Sequence, residues 1–136
     1  MPRIMWVGQD RYDWIKFNLW RENDFCCTYC ARVIPPESRQ LDHIVPVALD
    51  HWDDPLNVVP CCAWCNASKG SRVARHWISN RLKDRLVALG WRPRDAEVWC
   101  SRLRLVAEHV ERAWVAKNHD VGADWFETET RFSRTW

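Results

Sequence analysis

No stretch of this chain approaches the roughly 20 consecutive apolar residues that a membrane-crossing helix needs. The opening, Met1-Pro2-Arg3-Ile4, runs into charged residues without the apolar stretch of a secretory leader. There is no low-complexity segment and no linker-like run rich in glycine, serine or proline, and glycine occurs only four times in 136 residues. No internal repeat appears beyond a pair of cysteine knuckles. Net charge is nearly absent too, at +2. These absences argue against a membrane span, a repeat array or a string of tethered modules. They favour one domain, or a small core with an extension. The expected setting is soluble and reducing, hence cytoplasmic, with no membrane partner.

Cysteine is plentiful, but its arrangement does not suit a disulfide framework. The count is seven, an odd number, and four of the seven form two Cys-x-x-Cys pairs, Cys27/Cys30 and Cys62/Cys65. Two such pairs supply the four thiolates of a closed tetrahedral zinc site, which is structural because no position stays open for a reactant. Cys26 and Cys61 each precede a proposed ligand and would give a three-residue gap. The matched two-residue gaps favour Cys27 and Cys62, with Cys26, Cys61 and Cys100 as packed thiols. Zinc contributes about 10–16 kcal/mol in zinc-finger peptides, enough to hold a core with few strands. Eleven tryptophans are also present. Most belong to core or interface, where large aromatic areas stabilise a small fold.

The modest net charge hides an uneven spread. Residues 1–70 carry seven Lys/Arg against nine Asp/Glu, residues 71–118 eleven against five, and residues 119–136 two against four. The basic middle suits phosphate neutralisation, and equally an ordinary solvated helix face.

Along the chain, residues 1–24 form an arm. Asp10 or Asp13 is placed to cap a short helix whose Trp14, Phe17 and Trp20 pack over the zinc region. Residues 25–72 form the core. Arg39 to Val45 reads as a strand, residues 46–56 as a turn-rich loop, and Asn57 to Pro60 as a second strand leading to a knuckle that feeds a helix. Residues 73–136 form a helical extension. Val73 to Leu89 has helical spacing at Ile78, Leu82, Leu86 and Leu89, and Gly90 stands where a C-terminal cap belongs. Pro93 suits the first turn of a second helix to about Asn118, striped by Trp99, Leu103, Val106, Val110 and Trp114. The two helices make a hairpin that packs on the core or mediates a homodimer. Trp125, Phe126, Phe132 and Trp136 suggest that the last residues dock. The fold class expected is α+β.

Between the knuckles lies Leu41-Asp42-His43-Ile44-Val45-Pro46, then Asn57-Val58-Val59-Pro60, then Cys62-Ala63-Trp64-Cys65-Asn66 and Lys69. Adjacent strand residues face opposite ways, so Asp42 and His43 share a site only where the strand ends or bends. Histidine titrates close to neutrality and can take a proton from water. Asp42 offers an anionic oxygen and Asn66 a neutral one to a hard divalent cation, leaving room for waters and phosphate oxygens, which suits magnesium. Lys69 stands one helical turn after Asn66, in reach of a phosphate.

From Cys27 to Arg72, about a third of the chain, this order of residues resembles the HNH nuclease family. The resemblance implies the ββα-metal fold, with Cys27, Cys30, Cys62 and Cys65 on the structural zinc. It implies His43 as general base, Asn57 as the residue that orients it, and Asp42 and Asn66 as ligands of a catalytic Mg²⁺ or Mn²⁺, a His-Asn-Asn variant. Lys69 and Arg72 would then meet the substrate, double-stranded DNA. Small free-standing proteins of this kind resemble phage packaging nucleases, restriction enzymes and mobile-element nucleases. A phage-encoded chain would work in the host cytoplasm, with a packaging protein as partner. Two other readings stand beside it: a zinc-stapled nucleic-acid-binding module without catalysis, and a structural zinc protein whose tryptophans bind a protein partner.

Overall fold

A computed structural model describes residues 9–118 of the chain. The expected docking of Trp125, Phe126, Phe132 and Trp136 lies outside them. The centre is a two-stranded antiparallel sheet, β1 (Arg39–His43) against β2 (Val58–Cys62), followed at once by helix α2 (Ala63–Lys69). Arg39 pairs with Cys62 and His43 with Val58. This is a small α+β arrangement, a ββα core.

Both strand boundaries differ from the sequence expectation, each for a local reason. β1 stops at His43 because the ladder loses its return bond there. The Ile44 N–H still reaches the Asn57 carbonyl in register, but the Asn57 N–H goes to the Asp54 carbonyl and the Val45 N–H to the Asn57 side chain. Pro46 then has no N–H to give. β2 continues through Pro60 to Cys62, since in a two-stranded sheet every strand is an edge and tolerates proline. The freed carbonyl of Pro60 accepts the Thr28 N–H and ties the first knuckle to the sheet.

Helix α1 (Gln9–Glu22) is longer than the short helix expected, and Asp10 and Asp13 lie inside it rather than capping it. Trp20 is buried and donates its indole N–H to the Gln40 carbonyl at 2.9 Å. Trp14 and Phe17 stay more than half exposed, so that stripe does not pack over the zinc region. The helix meets both β1 and β2.

The segment expected as one helix from Val73 to Leu89 is interrupted. It comprises α3 (Ala74–Trp77), a π turn over Ile78–Leu82, and α4 (Lys83–Ala88). Within it Ala74, Ile78, Leu82 and Leu86, four positions apart, are buried, with Val73 and Trp77 beside the start of that row. An α-helix turns every 3.6 residues, so a strict four-residue repeat drifts off one face. The wider π turn absorbs the excess. Gly90 follows at φ +103°, the backbone region that favours glycine, and passes the chain to α5 (Pro93–Lys117).

Helix α5 buries Ala96, Cys100, Leu103, Ala107, Val110, Glu111 and Trp114. Val106, expected on that stripe, is half exposed, because the buried face is centred on Cys100 and Ala107 rather than on Trp99 and Val106. Tryptophan N–H groups fasten the layers together. Trp99 donates to the Tyr29 carbonyl at 2.7 Å, Trp114 to Asp50 at 2.8 Å and Trp77 to the Ser68 hydroxyl at 2.9 Å. Arg75 pairs with buried Glu111 and links α3 to α5. Residues 74–117 thus carry side-chain bonds to the core. Among the described residues no helix is long and apolar enough to cross a membrane.

Candidate active site

The first half of the site is sulfur. Cys27, Cys30, Cys62 and Cys65 are buried, and their Sγ atoms all lie within 4.8 Å of one another. Zn–S bonds of about 2.3 Å in a tetrahedron place sulfurs roughly 3.8 Å apart. Cys30 and Cys62 are separated by 3.9 Å. Backbone amides already serve the cluster: Cys62 N–H points to Cys27 Sγ and Cys65 N–H to Cys62 Sγ, each at 3.4 Å. S–H groups of Cys27, Cys30 and Cys65 drive Cys62 strongly toward thiolate, while Cys27, Cys30 and Cys62 push Cys65 the other way. A divalent ion that takes all four as thiolates removes the conflict, so the donor set fits structural zinc. Cys61 is buried but turned to the Cys62 carbonyl, and Cys26 reaches the Asp24 carbonyl. Neither belongs to the cluster.

The second half is oxygen and nitrogen, where β1 ends. Asp42 is buried, and Tyr29, from the first knuckle, donates its hydroxyl to Oδ2 at 2.6 Å. Burial, and after it the charge of Asp42, push the Tyr29 phenol well up, so it keeps the proton it donates. Lys69 reaches the same carboxylate at 3.2 Å and the His43 carbonyl at 2.9 Å. Lys69 is wholly buried. The expectation that it contacts a phosphate is therefore corrected: its ammonium is enclosed because Asp42 needs a counter-charge there. Arg72, the other residue expected to meet substrate, is half-buried and donates to the Ser68 carbonyl at 3.1 Å, closing the end of α2.

Asp42, His43 and Asn66 line one open cavity of about 220 Å³, together with Pro46, Gly70 and Ser71 among others. Asn66 donates its Nδ2 to Gln40 at 2.7 Å, which leaves its Oδ1 for a cation. A carboxylate and an amide oxygen on one open wall fit a hard divalent ion that keeps most of its waters.

Asn57 does not touch the His43 ring. It is fully buried, accepts the Val45 N–H at 2.7 Å, and donates to the Val45 and Trp52 carbonyls at 3.2 and 2.9 Å. It pins both ends of the loop that follows β1, and so fixes His43 through the backbone.

The residue that does meet the ring is Asp53. Its Oδ1 lies 2.7 Å from His43 Nε2 and 3.1 Å from His51 Nε2. The hydrogen bond from His43, with the nearby His51 charge, holds the Asp53 carboxyl below the usual carboxylate range although it is exposed. From the sequence, both lay simply within the turn-rich loop of residues 46–56. The one signal was their place in a loop that had to fold back over its own start. Tyr29 and Gln40 carried no signal.

Residues 27–82 match a family model described as HNH endonuclease. A search of curated proteins returns no match. Among solved structures, the crystal structure of the Type II-C Cas9 enzyme from Actinomyces naeslundii aligns at a TM-score of 0.47 with 23% identity, over 79% of this chain and 12% of that one. The family match begins at the first zinc-knuckle cysteine and ends with the π turn, and every side chain of the sulfur cluster and of the cavity beside it falls inside. That match spans 56 of the 136 residues, so the likeness to HNH endonucleases is a likeness of this segment.

Proposed function

We propose that this chain is a metal-dependent endonuclease that hydrolyses phosphodiester bonds of double-stranded DNA. The observation that carries the reading is the convergence of Asp42, His43 and Asn66 on one solvent-open cavity at the end of β1, inside a segment that matches HNH endonucleases.

His43 is the general base. When Asp53 accepts from Nε2–H, the free lone pair of the ring is on Nδ1, and that nitrogen takes the proton from water. The water oxygen forms a bond to phosphorus as the bond from phosphorus to the 3′ oxygen breaks, leaving 5′-phosphate and 3′-hydroxyl ends, as the family resemblance implies. Asp42 and Asn66 would hold a Mg²⁺ or Mn²⁺ ion, which supplies Lewis-acid stabilisation of the charge that builds on the phosphate and the leaving oxygen. Tyr29 and Lys69 fix the Asp42 carboxylate, and Asn57 fixes the loop, so the reacting groups are held before substrate arrives. The four cysteines hold zinc as a scaffold and take no part in the chemistry.

A supercoiled plasmid incubated with zinc-loaded protein and Mg²⁺ or Mn²⁺ tests this. Conversion to nicked or linear DNA, abolished by EDTA and by His43→Ala, is expected. Binding without cutting across several divalent ions would make the chain a nucleic-acid-binding module instead.

A further inference from the structure

The groups around His43 form a second constellation, on the side away from Asn66. Nε2 of His43 and Nε2 of His51 both meet Oδ1 of Asp53, at 2.7 and 3.1 Å, and the three atoms lie within 4.8 Å of one another. Hydrogen bonding alone accounts for either distance. Two imidazoles converging on one carboxylate oxygen is also what a shared metal ion produces. Tetrahedral ligand bonds of about 2.0–2.1 Å place neighbouring donors roughly 3.3–3.4 Å apart, so the 2.7 and 3.1 Å contacts need to open by some tenths of an ångström to admit an ion. His51 and Asp53 are about two-thirds exposed, and His43 about one-fifth. They open on a cavity of about 510 Å³ between this loop and α1, with space for further ligands. The trio is also built rather than accidental. Buried Trp52 sits between His51 and Asp53, and buried Asn57 holds its carbonyl and the Val45 N–H, so the donors need little ordering when an ion arrives.

We propose that His43, His51 and Asp53 form a site for a borderline divalent transition ion, zinc above all, separate from both the four cysteines and the Asp42/Asn66 wall. The donor chemistry divides the cations. Two imidazole nitrogens suit Zn²⁺, Co²⁺ or Ni²⁺, whereas Mg²⁺ prefers oxygen and keeps to the carboxylate and amide. Occupancy has a chemical consequence, which rests on the function proposed above. A neutral imidazole that gives Nε2 to a metal carries its remaining proton on Nδ1. The nitrogen that should take a proton from water then has no lone pair to offer, so zinc at this site inhibits cleavage.

Metal binding is measured on the full chain with the cysteine cluster already loaded with zinc, using Co²⁺ and then Zn²⁺ as probes. Cobalt at the new site gives weak d–d absorption without the sulfur charge-transfer bands of the cysteine cluster. Wild type is expected to take up one further equivalent, and His51→Ala or Asp53→Ala to weaken that uptake at least about tenfold. No further equivalent in wild type, or the same uptake in both variants, overturns the site. In parallel, Mg²⁺-driven plasmid nicking is followed as Zn²⁺ is added. Wild type should slow as the second equivalent binds, while His51→Ala keeps its rate. Undiminished cutting by zinc-saturated wild type overturns the inhibitory role. Absence of cutting under every condition refutes the proposed function instead, and the metal count then decides the site by itself.

Discussion

Replacing Lys69 with methionine keeps its length and removes its charge. Lys69 is wholly buried, 3.2 Å from the Asp42 carboxylate and 2.9 Å from the His43 carbonyl. Lys69→Met leaves Asp42, itself 5% exposed, as a buried anion with only the Tyr29 hydroxyl on it. Breaking a buried pair by removing one partner costs about 3–5 kcal/mol, against a total stability of about 5–15 kcal/mol for an ordinary domain. The midpoint of thermal unfolding should fall on the order of 10–20 °C. Circular dichroism melts of the zinc-loaded protein measure it. Adding Asp42→Asn should restore part of the loss, since the carboxylate no longer needs a counter-charge, with a coupling of roughly 1–3 kcal/mol between the two sites. If Lys69 served a phosphate instead, Lys69→Met would melt within a degree or two of wild type, and DNA affinity would drop with a shallower salt dependence. That outcome would refute the assignment of Lys69 as the internal counter-ion of Asp42.

Three further outcomes are expected. His43→Ala should remove cleavage while zinc content and melting temperature stay near wild type, because the ring is partly exposed and bonds only an exposed carboxylate; unfolding would show the histidine to be structural. Cys62→Ser should lower zinc content, measured by atomic absorption, and cost much of the fold, whereas Cys61→Ser should leave zinc content intact; the reverse would mean the wrong cysteine has been taken as ligand. Gly90→Ala should cost about 1–2 kcal/mol in urea unfolding from backbone strain at φ +103°, since a Cβ there meets nothing within 4 Å; an unchanged midpoint would place the cost elsewhere.

How much of this was legible in the sequence depended on how local the physics was. Gly90 and Pro93 mark helix ends by backbone chemistry confined to one or two residues, and both stand where expected. The cysteine cluster was legible because a two-residue gap constrains two sulfurs at once, and Cys27, Cys30, Cys62 and Cys65 do gather. The π turn had a sign too: the four-residue repeat of Ala74, Ile78, Leu82 and Leu86 is too long for an α-helix. What stayed hidden is what closes over long separations. Lys69 reads as a solvated or phosphate-facing lysine until Asp42, 27 positions earlier, and Tyr29 are brought against it. Asp53 reads as turn chemistry until its loop folds back onto His43. The orienting role of Asn57 was expected at the imidazole; its bonds go to the Val45 and Trp52 backbone.

Helix α5 grips the molecule at two places, Trp99 on the Tyr29 carbonyl and Trp114 on Asp50, about 22 Å apart along its axis. It works as a splint across the knuckle that carries Tyr29 and the loop that carries His51 and Asp53. A fragment cut to residues 27–82 would keep every group proposed for the chemistry and lose the splint. Anyone seeking a portable cutting module from this chain should therefore expect the shortest active piece to reach at least Trp114.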